Sequence, residues 1–137
     1  MALSIAERQE FLAQPHVAAL SVAAGADRGP LMVPIWYHYA PSGPLWISTR
    51  PDSRKAALIA EARRFSLLVH RVVPTTRYVS VEGEATVVGP TSDEELRTLA
   101  GRYLPPDKVD PYIEFARGEC RIDLEPQHWL SSDLGAP

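Results

Sequence analysis

Apolar and polar positions alternate along Tyr78–Val88 (YVSVEGEATVV), with Val79, Val81 and Gly83 on one side and Ser80, Glu82 and Glu84 on the other. A period of two marks a strand with one buried face, so Glu82 and Glu84 are expected in solvent. Gly83, with no side chain to pack, predicts a bulge or a barrel bend. Shorter apolar runs predict strands at His16–Ala23, Leu31–Tyr39, Leu45–Thr49, Phe65–Arg71 and Glu119–Leu124, the last extended by Gln127–Leu130. Pro34 inside the second run points to an edge, a bulge or a backbone face turned to something other than a strand. Helical spacing and capping residues predict helices at Ser4–Leu12, Ser53–Ala62 and Ser92–Tyr103, with a short one at Asp110–Phe115. Ser4 and Glu7 have capping-box spacing, and Pro105-Pro106 stops the third helix.

About six strands and two or three short helices result, in one domain over residues 1–137 with its core at about 15–130. Short turns make the sheet mainly antiparallel. Six such strands in a small chain close into a barrel, which removes exposed edges.

Composition narrows the function classes. The chain has 137 residues, 45% hydrophobic and 23% charged, with a net charge of −3. That balance argues against nucleic-acid binding and against a polybasic membrane surface. No apolar run approaches the ~18 residues of a membrane span. The segment MALSIAERQEFLAQP lacks the pattern of a signal peptide. A single cysteine, Cys120, excludes an intrachain disulfide and fits a reducing compartment, so a cytoplasmic location is expected. Cys120 reads as buried and inert. His16, His38, His70 and His128 have no metal-ligand spacing, and no metal site is expected.

One segment carries chemistry. In ISTRPDSRKAALI (Ile47–Ile59) a strand end and a polar turn lead into a helix whose first residues are Ser53, Arg54 and Lys55. Helix N-termini favour anions, because their first amides lack partners and the dipole is positive there. Cations placed there oppose the dipole at about 0.3–1 kcal/mol each. Two readings stand at this point: an anion, most simply a phosphate, offsets that cost, or Ser53 is only a cap and the cations are solvated.

The order VPIWYHY, LWIST, SRKAALI, FSLLVH, RYVSVEGEATVV resembles the pyridoxamine 5'-phosphate oxidase-like split-barrel proteins, over about Pro15–Leu130. SRK followed by small and apolar helix residues is the most specific element, and RYVSVEG the next. The resemblance implies a mainly β fold, a six-stranded antiparallel split barrel, and a homodimer with FMN or the deazaflavin F-420 in grooves between protomers. It implies that Pro34, Ile35, Trp36 and Tyr37 run beside the cofactor ring. Ser48, Thr49 and Arg50 approach the ribityl chain, and Ser53, Arg54 and Lys55 hold the phosphate. Arg77 and Tyr78, opening the fifth strand, reach the partner's cofactor.

Trp36 and Tyr37 alternate, so one of them is expected in the core, while Trp46 reads as core or interface. The C-terminal QHWLSSDLGAP has no counterpart of the Arg and His with which the true oxidase grips its pyridoxal substrate. The resemblance therefore implies the shorter branch and not pyridoxamine phosphate oxidation. The expected activity is hydride transfer with a small conjugated substrate, FMN being the first cofactor and F-420 the second; no catalytic side chain is assigned. A non-catalytic protein that stores or senses a flavin or haem is the alternative.

Overall fold

Ser4 accepts a hydrogen bond from the Glu7 amide and donates its own amide to the Glu7 carboxylate, so the capping box starts α1 (Ile5–Ala13). The structure, a computed structural model, describes residues 1–136. After α1 come β1 (Ala18–Val22), β2 (Leu31–Ile35), β3 (His38–Tyr39), β4 (Leu45–Thr49) and α2 (Arg54–Ala62). They are followed by β5 (Arg64–Arg71), β6 (Arg77–Pro90), α3 (Asp93–Tyr103), α4 (Pro106–Ala116), β7 (Cys120–Leu124) and β8 (His128–Asp133).

β6 is the spine, 14 residues long. Its first half pairs with β5 on one edge and β8 on the other, and its second half pairs with β7. The sheet runs β2-β1-β5-β6-β7-β4-β3, with β8 beside β6, and every pairing is antiparallel. β7 and β8 follow the same edge of β6 in succession, so two sheets diverge from one strand and curl around a shared core: a split barrel. The alternation read in β6 holds, with Val79 and Val81 fully buried and Glu82 and Glu84 exposed. Val79 and Val81 pack in one core with Leu20, Leu67, Ile47 and Ile122. Among these residues burial contributes about 1.5–3 kcal/mol each.

Eight strands and four helices stand where six and two or three were expected. Leu31–Tyr39, read as one strand, divides into β2 and β3 because Trp36 and Tyr37 leave both sheets. There the Tyr37 amide donates to the Tyr103 hydroxyl (3.2 Å) and not to a strand. Pro34 sits on β2, the terminal strand of the order, the kind of edge position where a strand proline is tolerated. The bulge in β6 falls between Val87 and Gly89; Gly83 marks the point where β7 and β8 part. α4 is longer than the expected Asp110–Phe115. Pro106 occupies its first turn, where a proline fits, and Pro111 lies inside it; Pro105-Pro106, taken as a stop, hid only the N-terminal part of the helix.

Candidate functional site

Ser53 caps α2: its hydroxyl accepts from the Ala56 amide (3.2 Å), and Thr49 Oγ1 stands 3.4 Å from Ser53 Oγ. The amides of Arg54 and Lys55 keep no helical partner. α1, α3 and α4 each carry an acidic side chain in the first turn, complementing the dipole, and α2 carries none. Its positive end is thus left open to an outside anion.

That end faces a groove of about 450 Å³, within the ~300–1,000 Å³ typical of small-molecule sites. The floor and polar end are Ser48, Thr49, Arg50, Ser53 and Lys55. The second wall is Pro34, Ile35 and Trp36, with Val17 beside them. The third wall comes from the helical pair, with Leu99, Tyr112 and Phe115, and from Glu119 in the connection between α4 and β7. The Trp36 ring stacks on Tyr103 (4.6 Å, 5°) and tilts against Tyr112 (5.4 Å), which ties the strand wall to the helices. Arg50 is held in place by Phe115, donating to its carbonyl (2.9 Å) with the guanidinium 5.6 Å over its ring. Ser48 is buried; its hydroxyl donates to Glu119 Oε1 (2.7 Å) and lies 2.8 Å from Thr91 Oγ1. Burial, aided by the charge of Glu119, pushes the Tyr112 phenol up to about 12, so it is a neutral O–H at physiological pH.

Eight of the residues singled out from sequence meet in this groove: Pro34, Ile35, Trp36, Ser48, Thr49, Arg50, Ser53 and Lys55. Arg54 is exposed on the first turn of α2 and does not line it. Tyr37 lies in the core, fully buried, its hydroxyl donating to the Leu12 carbonyl (2.6 Å). Burial raises its phenol well above the ordinary range. Tyr37→Phe is expected to destabilise the fold by about 1–1.5 kcal/mol and to leave ligand affinity unchanged. Urea unfolding alongside a binding titration checks this, and a selective loss of binding would place Tyr37 in the site.

Arg77 and Tyr78 lie away from the groove of their own chain, at the start of β6. Arg77 Nε donates to Asp133 Oδ2 (2.9 Å), which also accepts from Thr75 Oγ1 (2.7 Å). Hydrogen bonds from Thr75, the Gly135 amide and Arg77 hold the Asp133 carboxyl down at about 2. A carboxyl that binds its proton more weakly folded than unfolded stabilises the fold above the ordinary carboxylate range, and this is lost as pH falls towards about 2. Asp133→Asn should therefore lower the melting temperature at neutral pH, with the gap to the parent closing through the acid range. A gap that persists unchanged at low pH would rule out this linkage.

Tyr78 lies on the outer face of the five strands β2-β1-β5-β6-β8, in register with His70 and Ser132. One row across that face is Pro34, Ala19, Leu68, Ser80 and Leu130, and Leu130 is 65% exposed. Pro34 belongs both to this row and to the groove wall, so face and groove are continuous.

Leu99, Tyr112, Phe115 and Glu119 were missed in sequence, because α3, α4 and the connection from α4 to β7 meet the groove only in three dimensions. Among the described residues no group of three His, Cys, Asp or Glu side chains could hold a metal ion, and no helix is long and apolar enough to cross a membrane.

The curled sheets divided at β6, with a groove beside β4 and the α2 N-terminus, define a split-barrel protein. The family model described as pyridoxamine 5'-phosphate oxidase matches residues 5–117, and the chain belongs to that family. No curated protein sequence matches it. Among solved structures, a protein named F420 reductase is similar at 19% identity and TM-score 0.70, over 89% of this chain and 94% of that one. A FAD-binding protein from Mesorhizobium loti matches at 19% identity and TM-score 0.70, over 100% of this chain and 97% of that one. HutZ, the haem storage protein from Vibrio cholerae, matches at 14% identity and TM-score 0.69, over 99% and 98%. At these identities the likeness shows the fold, which therefore serves named enzymes and storage proteins alike.

Proposed function

We propose that this protein binds FMN, with F-420 as the second choice, in the groove of a homodimer and exchanges hydride with a small conjugated substrate. The observation that supports it most is the continuity of the groove: a cleft walled by Trp36 and Tyr112 opens onto the cation-bearing, acid-free end of α2. Ser53, Lys55 and the α2 amides bind the phosphate, with Arg50 supplying a guanidinium fork. Trp36, Ile35 and Tyr112 exclude water from one side of the ring. When bound, the flavin supplies the redox chemistry, and the protein supplies position and a dry wall.

The apolar row through Pro34, Leu68 and Leu130 supports a second copy as the occupant of the outer sheet face. A two-fold partner seated there closes the open side of each groove and brings its own Tyr78 and Arg77 towards it. A location in the cytoplasm fits the lone buried Cys120.

Titration with FMN and with F-420, followed by absorbance and by sedimentation, tests both parts. Binding of neither below about 100 μM, weaker than about −5.5 kcal/mol, or a monomer at all concentrations, would overturn the reading. Turnover of the reduced complex with quinones and enones distinguishes an enzyme from a storage protein; a bound flavin that never passes its electrons on favours storage.

A further inference from the structure

Glu119 is the acidic side chain of the groove, and an anion bound at the α2 end gains nothing from it. Its carboxylate stands beside a corner built to attract negative charge, yet it makes no ion pair among the described residues, with Arg50 and Lys55 included. What holds it is a directed chain of hydroxyls. The one proton of Ser48 Oγ goes to Glu119 Oε1 (2.7 Å), so the hydroxyl of Thr91 donates to Ser48 (2.8 Å). Ser48 and Thr91 are both buried, which fixes the geometry. Such chains strengthen each member, because every donor polarises the next. Oε1 is therefore pinned, while Oε2 has no partner among the described residues.

We propose that Glu119 reads the hydroxyl-bearing linker of the ligand, its free oxygen accepting from a polyol hydroxyl between ring and phosphate; this rests on the cofactor reading above. A carboxylate accepts only, so the group it meets must be a donor. A fully ionised phosphate has none to offer, which excludes the anionic end. Ser48, to which the carboxylate is tied, precedes Arg50 by two residues, and Trp36 and Tyr112 line the same groove. The carboxylate thus lines the same groove as the cation corner and the apolar wall, so a linker joining a phosphate at the one to a ring at the other runs through the groove that it lines. Glu119 is a specificity residue: it favours a ligand whose phosphate and ring are joined by hydroxylated carbons over one joined by a bare alkyl chain.

The test is a binding cycle on the full chain. FMN and a flavin carrying a hydroxyl-free pentyl phosphate are titrated against the parent, Glu119→Gln and Glu119→Ala, with melting curves confirming that each is folded. Losing a charge-assisted hydrogen bond should weaken FMN about tenfold in Glu119→Ala and about threefold in Glu119→Gln, which keeps a neutral acceptor. The alkyl flavin should be bound equally by all three, within about twofold. Tighter FMN binding by Glu119→Gln would mean that the carboxylate only repels the anion and would overturn the proposal. Equal losses for both flavins would also overturn it, since Glu119 would then shape the groove through Ser48 without reading the linker. If the parent binds F-420 and not FMN, the same cycle is run with F-420, which shares the linker, and its hydroxyl-free analogue. A parent that binds neither coenzyme removes the cofactor reading and this assignment together, whereas indifferent variants of a binding parent remove this assignment alone.

Discussion

Replacing Arg50 and Lys55 together by alanine is expected to abolish measurable FMN binding while the protein stays folded. Charge-assisted contacts to phosphate are worth about 1.5–3 kcal/mol each, so the pair should cost about 3–6 kcal/mol, or two to four orders of magnitude in Kd. Both side chains line the groove, and Arg50 is exposed, so little of the core depends on them. The fold cost should stay within about 1 kcal/mol, most of it from the lost Arg50 bond to the Phe115 carbonyl. Calorimetric titration with FMN, and with inorganic phosphate as competitor, measures the effect. An affinity that stays within threefold of the parent would show that the anion is held elsewhere. Arg54→Ala is the informative companion, because the Arg54 side chain stands outside the groove. A loss as large as that of Lys55→Ala would move the phosphate to the outer side of the turn.

The largest expected effect on stability belongs to Gly83. A Cβ at this position would lie well inside contact distance of the Glu125 carbonyl oxygen, and 3.1 Å from Gln127 Cγ. The obstacle is backbone, and it is pinned on both sides: Glu125 N donates to Glu84 O (2.8 Å) and Gln127 N to Glu82 O (2.9 Å). The step from β7 to β8 therefore cannot move aside without losing the bonds that attach both strands to β6. Gly83→Ala should destabilise by about 3 kcal/mol or more, at the upper end for overpacking. Gly101 is the contrast: it lies exposed in α3 with open space around it. Gly101→Ala should stabilise by about 0.5–1 kcal/mol through helix propensity alone. Urea midpoints of the two variants should thus move in opposite directions. An unchanged midpoint for Gly83→Ala would contradict the close approach of the two strands.

The long strand through Val79 and Val81, the cap at Ser53 and the capping box at Ser4 were legible in the sequence because each is a local signal. They depend on neighbours one to four positions away, through period, capping or turn chemistry. The break at Trp36 and Tyr37 was not legible, since the group that replaces their strand partner is the Tyr103 hydroxyl, 66 residues away. Nor was the division of labour between these two aromatics: alternation says that they point apart, and only the packing of α1 and Arg102 says that Tyr37 is the buried one.

The sequence by itself determined the mainly β fold and most of its strand and helix segments, the anion-favouring character of the α2 start, and the turn that carries Arg50. Those are properties of a few consecutive residues, written in propensity and charge. Only the tertiary structure decided which of the cations enters the groove, that α3 and α4 form its third wall, and that Glu119 is tied to Ser48 across it. The physical reason is that such contacts join segments far apart in the chain, and their geometry follows from how the two sheets curl away from β6, which no local pattern encodes.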